Sequence, residues 1–366
     1  MPNRRPNHGG DLIWAAQVAG CSPPDLLDFS ASISPLGPPA SAIAAIQAHL
    51  GDISRYPNPS YGQLRQALAA HHQVPADWIM VGNGAAELLT WAGRDLAHQT
   101  ATYLITPAFG DYGRSLHAFD AKTIACPLPL TGAEISPGDW QHCLEAQADR
   151  DLSQCGLLLN TPHNPTGYVI PPAVITQWLT QFGLVVIDEA FMDFLPPQQQ
   201  TSLIHRVADC ANLVVVRSLT KFYSLPGLRL GYGIAQPERL ARWQSWRDPW
   251  PVNALAEAAA IASLQDQAYQ TASWQWLAAT RPRLQTALAG LPGLDPLPGQ
   301  ANYLLVRTAK SAMALQRVLL QRHRILIRDC LSFAELGDRY FRVAVRTAAE
   351  NERLVDALAD ALTVLG

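Results

Sequence analysis

Lys221 stands three residues after Ser218 and eight before Arg229, in the stretch Ser218-Leu219-Thr220-Lys221-Phe222-Tyr223-Ser224-Leu225-Pro226-Gly227-Leu228-Arg229. A lysine that bonds covalently to a carbonyl cofactor needs an anion site close by if that cofactor carries a phosphate. A serine hydroxyl and an arginine guanidinium supply such a site. An isolated S-x-x-K also fits a surface turn with a solvated lysine, so the reading depends on what accompanies it.

Three further segments accompany it. Leu184-Val185-Val186-Ile187-Asp188-Glu189-Ala190-Phe191 is a continuous apolar run ending in carboxylates, the pattern of a buried parallel strand. Open α/β sheets place ligands at such strand tips. An acid there can keep a pyridine nitrogen protonated and so make the ring an electron sink. The alternation of strand side chains makes Asp188 the candidate and turns Glu189 to the other face. Leu157-Leu158-Leu159-Asn160-Thr161-Pro162-His163-Asn164-Pro165-Thr166-Gly167 is a second apolar run, closed by a rigid turn. That turn holds the Asn164 amide still enough to donate to a phenolic oxygen. Trp78-Ile79-Met80-Val81-Gly82-Asn83-Gly84-Ala85-Ala86-Glu87 leads a strand into Gly-Asn-Gly and then a helix. The free backbone N–H groups at that helix start, around Ala85 and Ala86, suit a phosphate. Each segment alone also fits an ordinary strand-to-helix loop. Together they describe one cofactor, pyridoxal 5′-phosphate (PLP).

Gly82-Asn83-Gly84, Asn164-Pro165-Thr166-Gly167, Asp188-Glu189-Ala190 and Ser218-x-x-Lys221 with Arg229 follow in one order. In that order they resemble the fold-type I PLP enzymes of the aminotransferase class I/II group. The resemblance implies Lys221 as the cofactor-bearing lysine and Asp188 as the partner of the pyridine nitrogen. It implies Asn164 on the phenolic oxygen, and Ser218, Arg229 and the Gly84-Ala85-Ala86 turn on the phosphate. Phe109, in Thr106-Pro107-Ala108-Phe109-Gly110-Asp111-Tyr112, matches the aromatic that stacks on the ring; from the residues alone it fits a core phenylalanine equally. Phe191 stands where many aminotransferases carry a tyrosine bonded to the phenolic oxygen, so that bond is absent here. Tyr56, in Arg55-Tyr56-Pro57-Asn58-Pro59, matches a tyrosine that reaches the neighbouring subunit's cofactor phosphate, which implies a homodimer.

The ends of the chain narrow the reaction. The pattern runs through His8-Gly9-Gly10, Ser30-Ala31-Ser32-Ile33-Ser34-Pro35, Ala301-Asn302-Tyr303, Ile325-Leu326-Ile327-Arg328-Asp329-Cys330 and Phe341-Arg342-Val343-Ala344-Val345-Arg346. From about His8 to the C-terminus it is similar to the threonine-phosphate decarboxylase branch of the group, with the histidinol-phosphate aminotransferases as near relatives. The resemblance implies decarboxylation of L-threonine O-3-phosphate to (R)-1-amino-2-propanol O-2-phosphate for cobalamin biosynthesis, with His8, Ser32, Arg328 and Arg342 on the substrate. The chemistry agrees. A substrate with a carboxylate and a phosphate needs two anion sites besides the cofactor's, and planar guanidinium forks suit both. Residues 342, 344 and 346 would share one strand face, although Arg346 also fits a surface position. The branch usually carries asparagines at the positions of Ser32 and Ser34, and serine has one donor where an amide has two. Two other readings stand beside this one. One is an aminotransferase using glutamate and 2-oxoglutarate; the other is a PLP-fold binding or regulatory protein without turnover, which the intact Lys221, Asp188 and Asn164 disfavour.

Alternation of strands and helices argues an α/β fold. The expectation is a fold-type I PLP-dependent transferase, with a large domain built on a mostly parallel sheet and a smaller α+β C-terminal domain. Residues 1–35 read as an arm with a short helix near 11–19, 36–235 as the PLP-binding domain, 236–270 as linking helices and 271–366 as the small domain. Strands are expected near 78–81, 102–105, 156–160, 184–188 and 213–217, then near 302–307, 325–328 and 340–345. The last helix is expected at 348–364, with Thr347 and Glu350 as a capping box. At 366 residues, 48% hydrophobic and 16% charged, the chain suits two globular domains. A net charge of −3 gives no reason to invoke nucleic acid.

The six cysteines, Cys21, Cys126, Cys143, Cys155, Cys210 and Cys330, form no C-x-x-C pair. Neither a zinc nor a redox motif is present, and scattered thiols point to a reducing cytoplasm. Cys330 fits either the wall of the site or a small buried hydrophobe. Arg4-Arg5 and Val18-Ala19-Gly20-Cys21 superficially resemble a lipoprotein signal. The apolar stretch between them is short and is interrupted by Asp11 and Gln17. Trp243, Trp246 and Trp250 fit either a subunit interface or the core.

Overall fold

A computed structural model describes residues 8–130, 136–145, 150–333 and 335–366, apart from the side chains of residues 137, 141, 143 and 145. Arg4, Arg5 and the Cys143 thiol lie outside the described residues. Strand β1 (Leu27–Asp28) belongs to the second half of the fold. The next seven strands form one sheet: β2 (Ile79–Asn83), β3 (Thr102–Thr106), β4 (Thr123–Pro127), β5 (Gly156–Asn160), β6 (Leu184–Asp188), β7 (Leu213–Ser218) and β8 (Leu230–Ile234). Their spatial order is β2-β8-β7-β6-β5-β3-β4. The five strands β4, β3, β5, β6 and β7 run parallel, and β8 is antiparallel to both β7 and β2.

The central strands are Val/Ile/Leu runs because helices cover both sheet faces. Val185, Ile187, Val214 and Val216 are all fully buried, as the parallel arrangement requires. The sheet winds outward in both directions from between β3 and β5, so the carboxyl ends of β3, β5, β6 and β7 open onto one crevice at this switch point. Three of the motif-bearing turns, those after β5, β6 and β7, leave those ends.

Two strands of this sheet are absent from the sequence reading. Strand β4 is a half-exposed edge, and β8 (Leu-Gly-Tyr-Gly-Ile) looks like a turn because of its glycines. Gly231 is there because space demands it. A Cβ would lie 2.4 Å from the Ala85 nitrogen and 2.8 Å from the Arg217 carbonyl oxygen.

The smaller sheet has β9 (Leu294–Pro296), β10 (Tyr303–Thr308), β12 (Arg328–Asp329) and β13 (Tyr340–Ala344), in the order β12-β13-β10-β9, all antiparallel. Strand β11 (Ile325–Leu326) pairs in parallel with β1 instead. The run 325–328, expected as one strand, therefore changes partners at Ile327, and this brings the chain's beginning against its end. Helix Ala348–Val364 starts at the Thr347–Glu350 reciprocal cap. Strand β13 stops at Ala344, so Arg346 does not continue the face of Arg342. Instead it pairs with Glu350 at 2.7 Å and donates to the Asp28 carbonyl at 3.1 Å. The capping helix redirects the chain there, and Arg346 becomes a structural clamp.

Candidate active site

A cavity of about 350 Å³ lies at the carboxyl ends of β5, β6 and β7, between the two sheets. Its wall includes Lys221, Asp188, Asn164, Ser218, Arg229, Ala85, Ala86, Phe109, Arg328, Arg342, Ser32 and His8. Twelve residues named from sequence, spread from 8 to 342, are thus brought to one place.

Lys221 lies on the turn after β7. Its Nζ donates to Thr220 Oγ1 at 3.0 Å, and that hydroxyl lies 2.7 Å from Ser218 Oγ. Burial pushes the amine down to about 8; Asp188 opposes this, while Arg229 and Arg342 add to it. Such an amine holds and releases a proton near neutrality, which an ordinary lysine does not.

Asp188 ends β6. One carboxylate oxygen accepts from the Tyr112 hydroxyl at 2.8 Å and the other from the Ala190 N–H at 2.9 Å. Burial pushes this carboxyl up, and the Tyr112 and Ala190 hydrogen bonds and the nearby Lys221 counter it. Glu189 turns to the opposite sheet face. There it takes Arg217 Nε at 2.9 Å, Ser202 Oγ at 2.7 Å and the Leu203 N–H at 3.1 Å. Arg217 also bonds Asp193 at 2.6 Å. This buried ionic network ties the tips of β6 and β7 together behind the cavity.

The start of helix Gly84–Leu96 forms a cradle with Arg229. Gly84 has φ +73, and a Cβ on it would lie 2.5 Å from Arg229 Nη2. The left-handed backbone favours glycine, and any side chain there would press on the Arg229 guanidinium. Arg229 is itself left-handed at φ 58, held by a 3.1 Å bond from Nη1 to the Pro226 carbonyl. A guanidinium, the Ser218 hydroxyl and a helix start converge where a phosphate would sit.

On the other side stand two arginines. Arg328 and Arg342 are directly opposite each other across the β12–β13 pair, and both are buried, at 6% and 8% exposure. Arg342 lies over the Tyr303 ring at 4.9 Å and donates to Asn164 Oδ1. That contact leaves the Asn164 N–H₂ group as the donor available to a ligand. Burial lowers the Arg342 pKa. Arg328 donates to Ser332 Oγ at 2.6 Å. The Ser32 hydroxyl is buried without a protein partner. Ser34 is turned away, toward Tyr269 and the Leu36 N–H. His8 sits at the cavity edge, its ring centroid 5.7 Å from that of Phe109.

Tyr56 is not brought to this cavity. It is 80% exposed and packs on Trp250 at 4.6 Å. Trp243 is core, its indole N–H on Asp95 at 3.2 Å. Trp246 lies under Arg94 at 4.3 Å. Cys330 is a core residue beside Leu305 and Phe333, its thiol pushed up to about 12 by burial. Tyr112, Thr220, Asn160, Ser30 and Ser332 line the cavity as well, and none of the five is among the candidates named from sequence. Two carried a usable signal. Tyr112 falls one helical turn after Phe109, and Thr220 lies between Ser218 and Lys221. Among the described residues no group of three or more His, Cys, Asp or Glu could hold a metal ion. Nor is any helix there long and apolar enough to cross a membrane.

The profile of the family described as aminotransferase class I and II matches residues 24–358. A threonine-phosphate decarboxylase of Salmonella typhimurium is 44% identical over 365 residues, covering 97% of this chain and 96% of the relative. Histidinol-phosphate aminotransferase 2 of Ralstonia nicotianae is 33% identical, covering 97% and 93%. Among solved structures, a histidinol-phosphate aminotransferase from Clostridium acetobutylicum superposes with a TM-score of 0.84 at 27% identity, covering 93% of this chain and all of that one.

Proposed function

The chain belongs to the aminotransferase class I and II family, and from that premise we propose that it is a PLP-dependent threonine-phosphate decarboxylase. It would convert L-threonine O-3-phosphate to (R)-1-amino-2-propanol O-2-phosphate. The observation that carries this reading is the Arg328–Arg342 pair. Like charges directly opposite across a ladder are unfavourable, and burial raises that cost. A substrate bearing both a carboxylate and a phosphate offsets it. The higher identity to the decarboxylase, 44% against 33% for the aminotransferase, supports the same choice.

The residues present fit the cofactor. Lys221 would hold it covalently, Asp188 would keep its pyridine nitrogen protonated, and Asn164 would donate to its phenolic oxygen. Phe109 would cover the ring. Ser218, Arg229 and the Gly84-Ala85-Ala86 turn would take the phosphate. Bound PLP would supply an electron sink for the charge that develops at the substrate Cα. Arg328, Arg342, Ser32 and His8 would hold the two anionic groups of the substrate. By fixing where the carboxylate points, the two arginines would decide that CO₂ leaves rather than a proton. Lys221, with its amine near 8, would then deliver a proton to Cα. Residues 36–235 would supply the cofactor ligands and 271–366 the substrate arginines, with the arm from His8 to residue 35 lying beside both. The exposed Tyr56 would complete the site of a second copy, which makes the working form a homodimer. The free thiols among the described residues support a reducing, cytoplasmic setting.

The alternative is an aminotransferase of the histidinol-phosphate type, favoured by the 33% identical relative. A paired assay of the PLP-loaded protein separates the two. L-threonine O-3-phosphate should release CO₂ and aminopropanol phosphate. Histidinol phosphate with 2-oxoglutarate should give no glutamate. Glutamate without CO₂ reverses the assignment.

A further inference from the structure

His8-Gly9-Gly10 has its physical reason at Ser30. The Gly10 N–H donates to Ser30 Oγ at 2.8 Å, and Ser30 Oγ in turn donates to Asp28 Oδ1 at 2.6 Å. The Ser30 N–H bonds the same Asp28 oxygen at 2.7 Å, so the hydroxyl is fixed from both sides. Gly10 has φ +84, the left-handed region that favours glycine. Gly9 is constrained by space alone. A Cβ there would lie 2.3 Å from the Ser30 carbonyl oxygen and 2.8 Å from its carbon. The arm therefore runs backbone against backbone over Ser30, and no side chain at position 9 fits beneath it. The docked arm carries His8 to the cavity edge, with His8 Cε1 within 3.6 Å of where a Cβ on Gly110 would be. The Ser30 carbonyl also accepts Arg342 Nη2 at 3.4 Å. One residue touches both the arm and a cavity arginine.

We propose that Ser30 and Gly9 form a clip that positions His8 over the bound substrate's anionic group and ties the arm to Arg342. This rests on the reading that the cavity takes a phosphorylated amino acid. Ser30 and Gly9 are positioning residues. They act through His8 and take no part in bond breaking.

The test compares PLP-loaded wild-type, His8→Ala, Gly9→Ala, Ser30→Ala and His8→Ala/Gly9→Ala proteins. Gly9→Ala deletes no hydrogen-bonding group and lifts the arm by steric contact, so it carries the test even if Ser30→Ala, which strips a partner from half-buried Asp28, fails to fold. Gly9→Ala should raise KM for L-threonine O-3-phosphate about tenfold, the effect of losing one hydrogen bond to a charged group. It should match His8→Ala and leave kcat within about threefold. The double variant should be no worse than His8→Ala alone. A wild-type KM in Gly9→Ala, or multiplicative effects in the double variant, would overturn the clip. Titration with inorganic phosphate separates this from the proposed reaction. Gly9→Ala should weaken phosphate binding by the same factor as His8→Ala, whether or not the wild type releases CO₂. An unchanged affinity, or a wild type that binds no phosphate, sinks the clip. Phosphate binding without CO₂ release sinks only the decarboxylase reading.

Discussion

The Tyr112 hydroxyl donates a 2.8 Å hydrogen bond to Asp188, and both groups are buried beside the cavity. Burial favours the protonated carboxyl, and the tyrosine is the first of the contacts that oppose it. A carboxylate meant to hold a ring nitrogen protonated must itself stay ionised, so this bond has functional weight.

Tyr112→Phe should therefore weaken PLP binding by about tenfold, the worth of a hydrogen bond to a charged group. Cofactor titration followed by absorbance measures this without turnover. An affinity equal to wild type would mean that the Ala190 N–H and Lys221 suffice.

Lys221 gives a pH signature in the cofactor-free protein. Its folded pKa, about 8, lies below the ordinary lysine value of 10.5. Between these values the unfolded chain binds more protons than the folded one, so stability rises with pH across that window. Below pH 8 the buried ammonium is a net cost. Lys221→Met should thus melt higher than the wild type at pH 7, with the gap narrowing between about pH 8 and 10.5. A gap that does not change with pH would contradict the displaced pKa.

The opposed arginines make anion binding a stability effect. Phosphorylated substrate at a hundred times its Kd should stabilise the wild-type protein by about 2.7 kcal/mol, read as a rise in Tm. In Arg328→Met the rise should largely vanish and kcat/KM should fall by about a hundredfold or more. An equal thermal shift in the variant would place the substrate elsewhere.

Arg217 is predicted to matter for stability at a distance from the chemistry. Its buried guanidinium bonds Glu189 and Asp193. Arg217→Met leaves both carboxylates uncompensated and should cost about 3–5 kcal/mol, measured by denaturant unfolding. Because Glu189 follows Asp188, a folded variant should also bind PLP more weakly. Wild-type stability would mean that the two acids find other partners or take up protons.

Much of the cavity was legible because its residues sit at the ends of strongly patterned segments. Asn164 and Asp188 each follow an apolar run of strand length, and Ser218, Lys221 and Arg229 lie within twelve residues of one another. What escaped was governed by contacts across the fold. Strand β8 carries a weak strand pattern because Gly231 must leave room for Ala85 and Arg217. The run at 325–328 reads as one strand because its change of partners depends on β1, some three hundred residues earlier.

The sequence by itself determined most of the strongly patterned elements, the glycine turns and the chemical groups on offer, since these follow from local sterics and hydrophobic period. Only the tertiary structure decided how those groups are used. It set Arg342 opposite Arg328 but turned Arg346 to Glu350, and gave Asp188 its tyrosine. It left Tyr56 outside the cavity and laid Gly9 on Ser30. Side-chain roles of that kind depend on which segments meet in space and where a strand stops, and spacing along the chain does not encode either.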